Sequence, residues 1–482
     1  MAQPQWLKNK NTLSLIFTSL LFAPLSFALP PVEKLPAGSR ISTQIENLSD
    51  NQSLQSYGDT EQLFPPASTL KIVTALAAKL ELPNSFRFST TISQSNKDWV
   101  IKFTGDPLLK SADLSAMLRA IKTSGVKTIE GDIWLDNSIF SGYERAVGWP
   151  WDILGVCYSA PASAITLDKN CVQASIYTNA DGSTRVYVPE HQPIYVSSRV
   201  KSVSKMEKES SQCTLELTTA DENHFALNGC LVYRDKPLPL RFAVQDTSLY
   251  VSRILQRMLK QQGINFQGQI KFGSKPNHKS GKLLANHQSS TLDDMLEEML
   301  KSSNNLIADN LTKTLGHHFY LQPGSFANGT EAIKQIIFAN TGIDLSHAQL
   351  ADGSGLSRNN RLTSQSMSQI LRYIWEYESA LGVIDMMPSA GESGTLQYRR
   401  SMRKAPIKGN IIAKSGSVYG TKNMAGYGLD EKGQPQTLFV QFVADYYPNK
   451  KRDSQPTIAP ITQFETLLYQ QIVEFSQAMP RK

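Results

Sequence analysis

A chain of 482 residues is too long for one compact core and implies roughly two to four domains. Its apolar content of 40% and charged content of 19% exclude a disordered polypeptide. The net charge of +7 comes without a basic, aromatic-interleaved stripe, a zinc knuckle or an RNA-binding run, which excludes a nucleic-acid partner and reads as a solvated surface with a mild lysine excess.

The N-terminus carries Lys8 and Lys10, then the apolar run Leu13 to Leu25, then Ser26-Phe27-Ala28. This order of charge, short apolar core and small-x-small site predicts a secretory signal peptide over 1–28, cleaved after Ala28. The apolar core is short for a spanning helix, so the mature chain is expected to be exported to the periplasm, with at most peripheral contact with a membrane. Four cysteines follow: Cys157, Cys171, Cys213 and Cys230. An even count in an exported chain predicts disulfides. Of three pairings, Cys157–Cys171 and Cys213–Cys230 are expected because each closes a short loop. No C-x-x-C or H-x-x-x-H spacing supports a metal, no cofactor is implied, and His317-His318 reads as surface.

In chain order, Ser39 to Glu46 reads as extended and Asn51 to Thr60 as turns. Phe64-Pro65-Pro66-Ala67 ends that unit, and a helix is expected from Ser68 through Leu80. Trp99 to Phe103 and Gly131 to Leu135 read as strands flanking a helix near Leu114 to Thr123. Residues 166–235 alternate in Thr, Val and Tyr and predict a small β-rich unit. Leu249 to Gln262 reads as a helix and Ile270 to Phe272 as a strand. Helices are expected at Leu292–Leu300, Leu306–Leu315 and Ser364–Tyr377. Strands follow at Ile411–Ala413, Met424–Gly428 and Thr437–Asp445, and an amphipathic helix at Phe464–Phe475 closes the chain, its apolar face assigned to the core. The pattern is nested insertion in an α/β (α+β) chain. A catalytic domain (29–88 and 285–482) is split by an α/β domain (89–165 and 236–284), itself split by the β-rich domain (166–235).

Three short elements carry chemistry. Ser68-Thr69-Leu70-Lys71 is S-x-x-K, Ser303-Asn304-Asn305 is S-x-N, and Lys414-Ser415-Gly416 is K-[S/T]-G. Each alone is weak; together, in this order, they form the constellation of serine acyl-enzymes that meet penicillin. Residues i and i+3 share a helix face, so Lys71 can reach the hydroxyl of Ser68. A serine hydroxyl needs a base, and a lysine serves once burial and a second cation, Lys414, lower its pKa. Ser303 is expected to relay a proton between Lys71 and the leaving group, and Asn305 to donate to a substrate carbonyl. Gly416 permits close approach of a substrate backbone. The N–H groups of Ser417 and Ser68 would form an oxyanion hole. Ser415 and Lys414 would grip a terminal carboxylate. Asp352-Gly353-Ser354-Gly355 is not a G-x-S-x-G nucleophile turn, since Asp352 stands where that motif has glycine.

With Pro66-Ala67-Ser68-Thr69-Leu70-Lys71, Gly148-Trp149-Pro150-Trp151, Asn305-Leu306-Ile307-Ala308-Asp309, Asp352 to Arg358 and Gly394 to Arg399, the mature chain resembles the class C low-molecular-mass penicillin-binding proteins, peptidase family S13. The resemblance implies a penicillin-binding transpeptidase/β-lactamase-like domain, an antiparallel sheet with helices on both sides, interrupted by two nested insertions. It implies D-alanyl-D-alanine carboxypeptidase and D,D-endopeptidase activity through an acyl-enzyme on Ser68. The implied partners are peptidoglycan stem peptides and β-lactam antibiotics; the implied setting is cell-wall remodelling linked to cell shape and division, with a homodimer left open. In the family a side pocket reads diaminopimelate; by position it would use Tyr158, Arg358 and Asp152. Here Ile153 holds the aligned acidic position and Tyr419 replaces a glutamine. Ser415 replaces threonine and Asn304 aspartate. A β-lactamase would need a dedicated water activator, for which no local candidate exists. A non-catalytic scaffold is the other alternative, disfavoured because all three motifs keep competent residues.

Overall fold

A computed structural model describes residues 29–276, 281–448 and 458–478. The signal-peptide expectation over 1–28 lies outside the described residues. Strands β1 (Arg40–Asn47), β2 (Ser53–Tyr57), β3 (Ile411–Gly416), β4 (Asn423–Leu429) and β5 (Pro435–Ala444) form one sheet in the order β3-β4-β5-β1-β2. Every neighbouring pair is antiparallel. The first strand of the described chain therefore pairs with the last, and what lies between β2 and β3 is a long excursion from one sheet.

Side chains along β5 alternate between two cores, as the strand period of two demands. Leu438, Val440 and Phe442 face a cluster with α1 (Leu70–Glu81), α2 (Leu292–Ser302), α3 (Asn305–Tyr320), α4 (Phe326–Thr341) and α5 (Ser364–Glu376). Phe439 and Val443 face the opposite way, against Phe464, Leu468 and Ile472 of α6 (Pro460–Ala478). The sheet thus has helices on both sides, as the family resemblance implied. The apolar face of α6 is core.

A second five-stranded sheet runs Ile270–Phe272, Ile133–Asp136, Asp98–Lys102, Ser89–Ser95, Lys282–Gln288. Helices Ser111–Thr123 and Thr247–Gln262 share its core. The β-rich segment contributes a three-stranded and a four-stranded sheet, and both expected disulfides form, Cys157–Cys171 and Cys213–Cys230. The pairing moves two expected boundaries. Strand Lys282–Gln288 runs through the expected break at 284 and pairs with Ser89–Ser95, and Leu238–Ala243, expected beyond the β-rich unit, pairs with Cys171–Thr178. Backbone pairing across long sequence separations overrides local texture.

Two elements differ from the sequence reading. Ser53–Tyr57 is a strand rather than turns; it is an edge strand whose one buried side chain is the polar Gln55, between half-buried Leu54 and exposed Ser56, so it carries no apolar alternation. Helix α4 was not anticipated. Its signal was present in Ile333, Ile336 and Ile337 at helical spacing behind the N-cap Ser325, whose hydroxyl accepts from Asn328 N–H.

Candidate active site

Ser68 lies in the short 3₁₀ turn Ala67–Thr69 that leads straight into α1. Thr69 Oγ1 donates to Pro66 O at 2.6 Å and tightens that turn. Ser68 is half-buried, whereas Lys71, one turn on, is fully buried. Lys71 Nζ lies 3.1 Å from Ser68 Oγ, 2.6 Å from Asn305 Oδ1 and 2.6 Å from Ser354 O. Burial lowers the Lys71 pKa to about 8, against the opposing pull of Asp309 and Asp352.

The S-x-N element sits where α2 ends and α3 begins. Ser303 caps α2 in the left-handed region, φ 58°, and Asn304 caps α3 by accepting from Ile307 N–H. This sharp reversal turns Asn305 toward Lys71 on α1 and Ser303 toward Lys414, and leaves Asn304 with a capping role. Asn305 Nδ2 donates to Tyr158 O at 2.7 Å, so its amide bridges Lys71 and the segment that follows Cys157. Ser303 Oγ accepts from Lys414 Nζ at 3.0 Å. Of the two S-x-N side chains, Asn305 hydrogen-bonds Lys71, while Ser303, expected to relay a proton between Lys71 and the leaving group, hydrogen-bonds Lys414.

Strand β3 completes the cleft. Lys414 is fully buried, and its Nζ also reaches Ser415 O at 2.8 Å. Burial, then the nearby Lys71 charge, hold its pKa well below the usual lysine range. Lys414 and Gly416 share one face of the strand, as alternation predicts. A Cβ on Gly416 would lie 2.8 Å from Pro66 O and 3.0 Å from Ser68 N, so only glycine lets β3 press on the nucleophile turn. Ser417 follows at the exposed end of the strand. Ser415 Oγ meets Thr395 Oγ1 at 3.1 Å, and Thr395 lines an open cleft of about 410 Å³ with Lys301, Ser302 and Gly394.

The sequence singled out the loop Asp352–Arg358 for the resemblance and Arg358 for the side pocket, but gave Asp352, Ser354 and Gly355 no place beside Ser68 and Lys71. Asp352 is buried and accepts four hydrogen bonds: Gly355 N and Asn360 Nδ2 on one oxygen, Ser357 N and Trp149 Nε1 on the other. Gly355 has φ 79°, and a Cβ there would strike Ala67 O at 1.8 Å. The Asp-Gly-Ser-Gly run is thus a backbone wedge packed against the nucleophile turn, which explains two glycines beside a buried acid.

The expected side-pocket residues are exposed. The Arg358 guanidinium lies 5.3 Å from the ring centre of Tyr419, which lies 5.4 Å from that of Tyr447. Tyr158 has its hydroxyl pKa raised by partial burial and by nearby Asp152. Among the described residues no cluster of three or more His, Cys, Asp or Glu could hold a metal, and no helix is long and apolar enough to cross a membrane.

Comparisons with known proteins agree in one direction. The D-Ala-D-Ala carboxypeptidase 3 (S13) family matches residues 31–468. D-alanyl-D-alanine carboxypeptidase DacB of Haemophilus influenzae is 36% identical over 97% of this chain and all of its own length. The crystal structure of penicillin-binding protein 4 (dacB) from Haemophilus influenzae superposes with a TM-score of 0.84 at 36% identity, over 92% of this chain and 98% of that one. The same protein complexed with a novel β-lactam gives a TM-score of 0.80 at 35% identity, with the same coverage.

Proposed function

The chain belongs to the D-Ala-D-Ala carboxypeptidase 3 (S13) family, and from that premise we propose that Ser68 is its nucleophile and Lys71 its general base. It is a serine-type D-Ala-D-Ala carboxypeptidase acting on peptidoglycan, and a β-lactam target. The observation that carries the residue assignment is a buried lysine amine 3.1 Å from the Ser68 hydroxyl.

A neutral Lys71 amine has two N–H bonds and one lone pair. Asn305 Oδ1 and Ser354 O, both at 2.6 Å, take the two N–H bonds. The lone pair is left for the Ser68 O–H. When Ser68 Oγ attacks the D-alanyl carbonyl carbon, its proton passes to Lys71 Nζ; such general-base assistance contributes typically ~10²–10⁴-fold. The developing oxyanion would meet Ser68 N–H and Ser417 N–H, an arrangement in which each donor is worth roughly 10²–10³-fold. The proton now on Lys71 Nζ passes through Ser303 Oγ, which Lys414 Nζ holds at 3.0 Å, to the leaving amine as its C–N bond breaks; water then adds to the acyl carbon, and its proton returns by way of Lys71 to Ser68 Oγ as the acyl C–O bond breaks. Ser415, beside the Lys414 charge, would hold the terminal carboxylate. Penicillin presents a similar carbonyl and would leave a longer-lived adduct on Ser68.

Arg358, Tyr158, Asp152 and Tyr419 would form the wall that reads diaminopimelate in the endopeptidase reaction on D-Ala-diaminopimelate cross-links. The exposed cation on a tyrosine face supports contact with a free carboxylate there. We read the chain as a catalytic domain, an inserted α/β domain and a nested β-rich domain, a reading supported by strand pairing, which favours breaks near Ser289 and Ala243. Export to the periplasm is supported by the signal-like N-terminus and the two disulfides.

Purified parent and Ser68→Ala protein, incubated with labelled penicillin and with a D-Ala-D-Ala peptide, test this. Labelling and D-alanine release by the parent alone are expected. A variant labelled as well as the parent would overturn the assignment.

A further inference from the structure

Helix α3 presents two side chains one turn apart to the base. Asn305 touches Lys71 directly. Asp309, four residues on along the same helix face, is buried and does not bond Lys71. Its Oδ1 accepts from Gly353 N at 3.2 Å and Ser354 N at 3.0 Å. The carbonyl of Ser354 is the one that receives Lys71 Nζ. Thr74 Oγ1, on α1, holds the preceding carbonyl, Gly353 O, at 2.8 Å. A Cβ on Gly353 would lie 1.9 Å from Thr312 Oγ1, so the loop is threaded between α1 and α3 with no room for another path.

We propose that Asp309 is a positioning residue for the general base: by holding the Gly353 and Ser354 peptide N–H groups it sets the Ser354 carbonyl, and so aims the Lys71 lone pair at Ser68. This rests on the reading of Lys71 as the base. A rigid acceptor matters because the neutral amine can rotate about its Cε–Nζ bond. Two fixed acceptors leave one orientation, with the lone pair on the third direction, toward Ser68 Oγ.

The second oxygen of Asp309 is buried without a hydrogen-bond partner. An ionised carboxylate would be poorly served there. Burial, then Asp352, hold the Asp309 pKa well above the usual carboxylate range despite Lys71. The charged groups facing it are Lys71 from α1, Asp352 from the loop and Lys313 from α3 itself. A carboxyl whose pKa is raised in this way holds the loop with less negative charge beside Lys71. Helix α3 thus orients the base through one direct and one indirect contact.

The test compares Asp309→Asn and Asp309→Ala in the full chain, with Ser68→Ala as control. Penicillin acylation is followed by stopped flow across pH, and rates are expressed per site titrated by labelled penicillin. A merely structural defect would lower the titrated fraction but not the rate per site. Asparagine keeps the acceptor oxygen and is neutral, so its rate should stay close to the parent's and its pH limb should not move. Alanine removes the acceptor; misorientation of a catalytic group costs up to about 10²-fold, and the rate per site should fall toward that. Alanine acylating at the parent's rate per site would overturn the proposal. So would an asparagine limb displaced to lower pH, which would mean that Asp309 is ionised. Should the alanine protein not fold, the asparagine limb and rate decide alone. Labelling of Ser68→Ala would instead strike at the nucleophile and base assignment, a distinct failure.

Discussion

Lys71 Nζ sits closer to Asn305 Oδ1, at 2.6 Å, than to Ser68 Oγ, at 3.1 Å. The neutral asparagine is therefore the tighter constraint on Lys71, and a charge placed at that position should govern when Lys71 can accept a proton.

Asn305→Asp places a carboxylate against the Lys71 amine. An adjacent opposite charge stabilises the ammonium and raises a lysine pKa by about 1–3 units. The parent should acylate with a rising pH limb near the Lys71 value of about 8. In Asn305→Asp that limb should move to higher pH, with slower acylation at neutrality. Penicillin acylation rates between pH 6 and pH 10 are the measurement; an unmoved limb would contradict the geometry.

Gly416→Ala should separate stability from activity. The added methyl meets Pro66 O and the N–H groups of Ser68 and Thr69 within 3.0 Å. Strand β3 must shift away from the nucleophile turn, while its pairing to β4 across Ile411–Gly416 can persist. Circular dichroism should show a folded protein, and labelling by penicillin should fall by about tenfold or more.

Trp149 ties the inserted segment to the catalytic loop through its indole N–H, 2.8 Å from Asp352 Oδ2. Trp149→Phe keeps most of the packing against Phe326 but strips one donor from a buried carboxyl group. The expected loss is about 1–3 kcal/mol, read as a lower denaturation midpoint in urea. Acylation should slow as well, because the same loop supplies Ser354 O to Lys71.

Lys313 offers a pH test away from the reacting atoms. Its Nζ donates to Tyr143 O at 2.8 Å and lies over the rings of Phe140 and Phe326. Burial lowers its pKa from 10.5 to about 8. Between those values the unfolded chain binds more protons than the folded one, so this lysine adds stability as pH rises and withholds it below pH 8. The parent should gain on Lys313→Met by at most about 2–3 kcal/mol between pH 8 and pH 10, measured as the difference in urea unfolding free energy. Equal slopes for the two proteins would refute the buried-charge account.

Arg358→Ala addresses selectivity. The guanidinium is exposed over the Tyr419 ring and makes no hydrogen bond to Ser68, Lys71 or Ser303. Penicillin acylation should be kept, whereas KM should rise for peptides carrying diaminopimelate and not for those carrying a neutral residue there.

Much of this was legible in the chain because it is local. The i, i+3 spacing of Ser68 and Lys71 fixes their proximity once the segment is helical, and alternation along β3 puts Lys414 and Gly416 on one face. Short loops between cysteines sufficed for the two disulfides. The open edge strand Ser53–Tyr57 escaped because three of its five residues, Ser53, Gln55 and Ser56, are polar, and the pairings of Lys282–Gln288 and Leu238–Ala243 escaped because their partner strands lie far away in the chain.

The sequence by itself determined the three motifs, their order and the need for a buried base. Only the tertiary structure decided that Asn305 rather than Ser303 meets Lys71, that Ser303 belongs to Lys414, and that Asp309 and Asp352 act through a glycine-rich loop. The physical reason is directional. A hydrogen bond depends on tenths of an ångström and on where a lone pair points, and those are set by how α1, α3 and β3 pack against one another, not by spacing along any one of them.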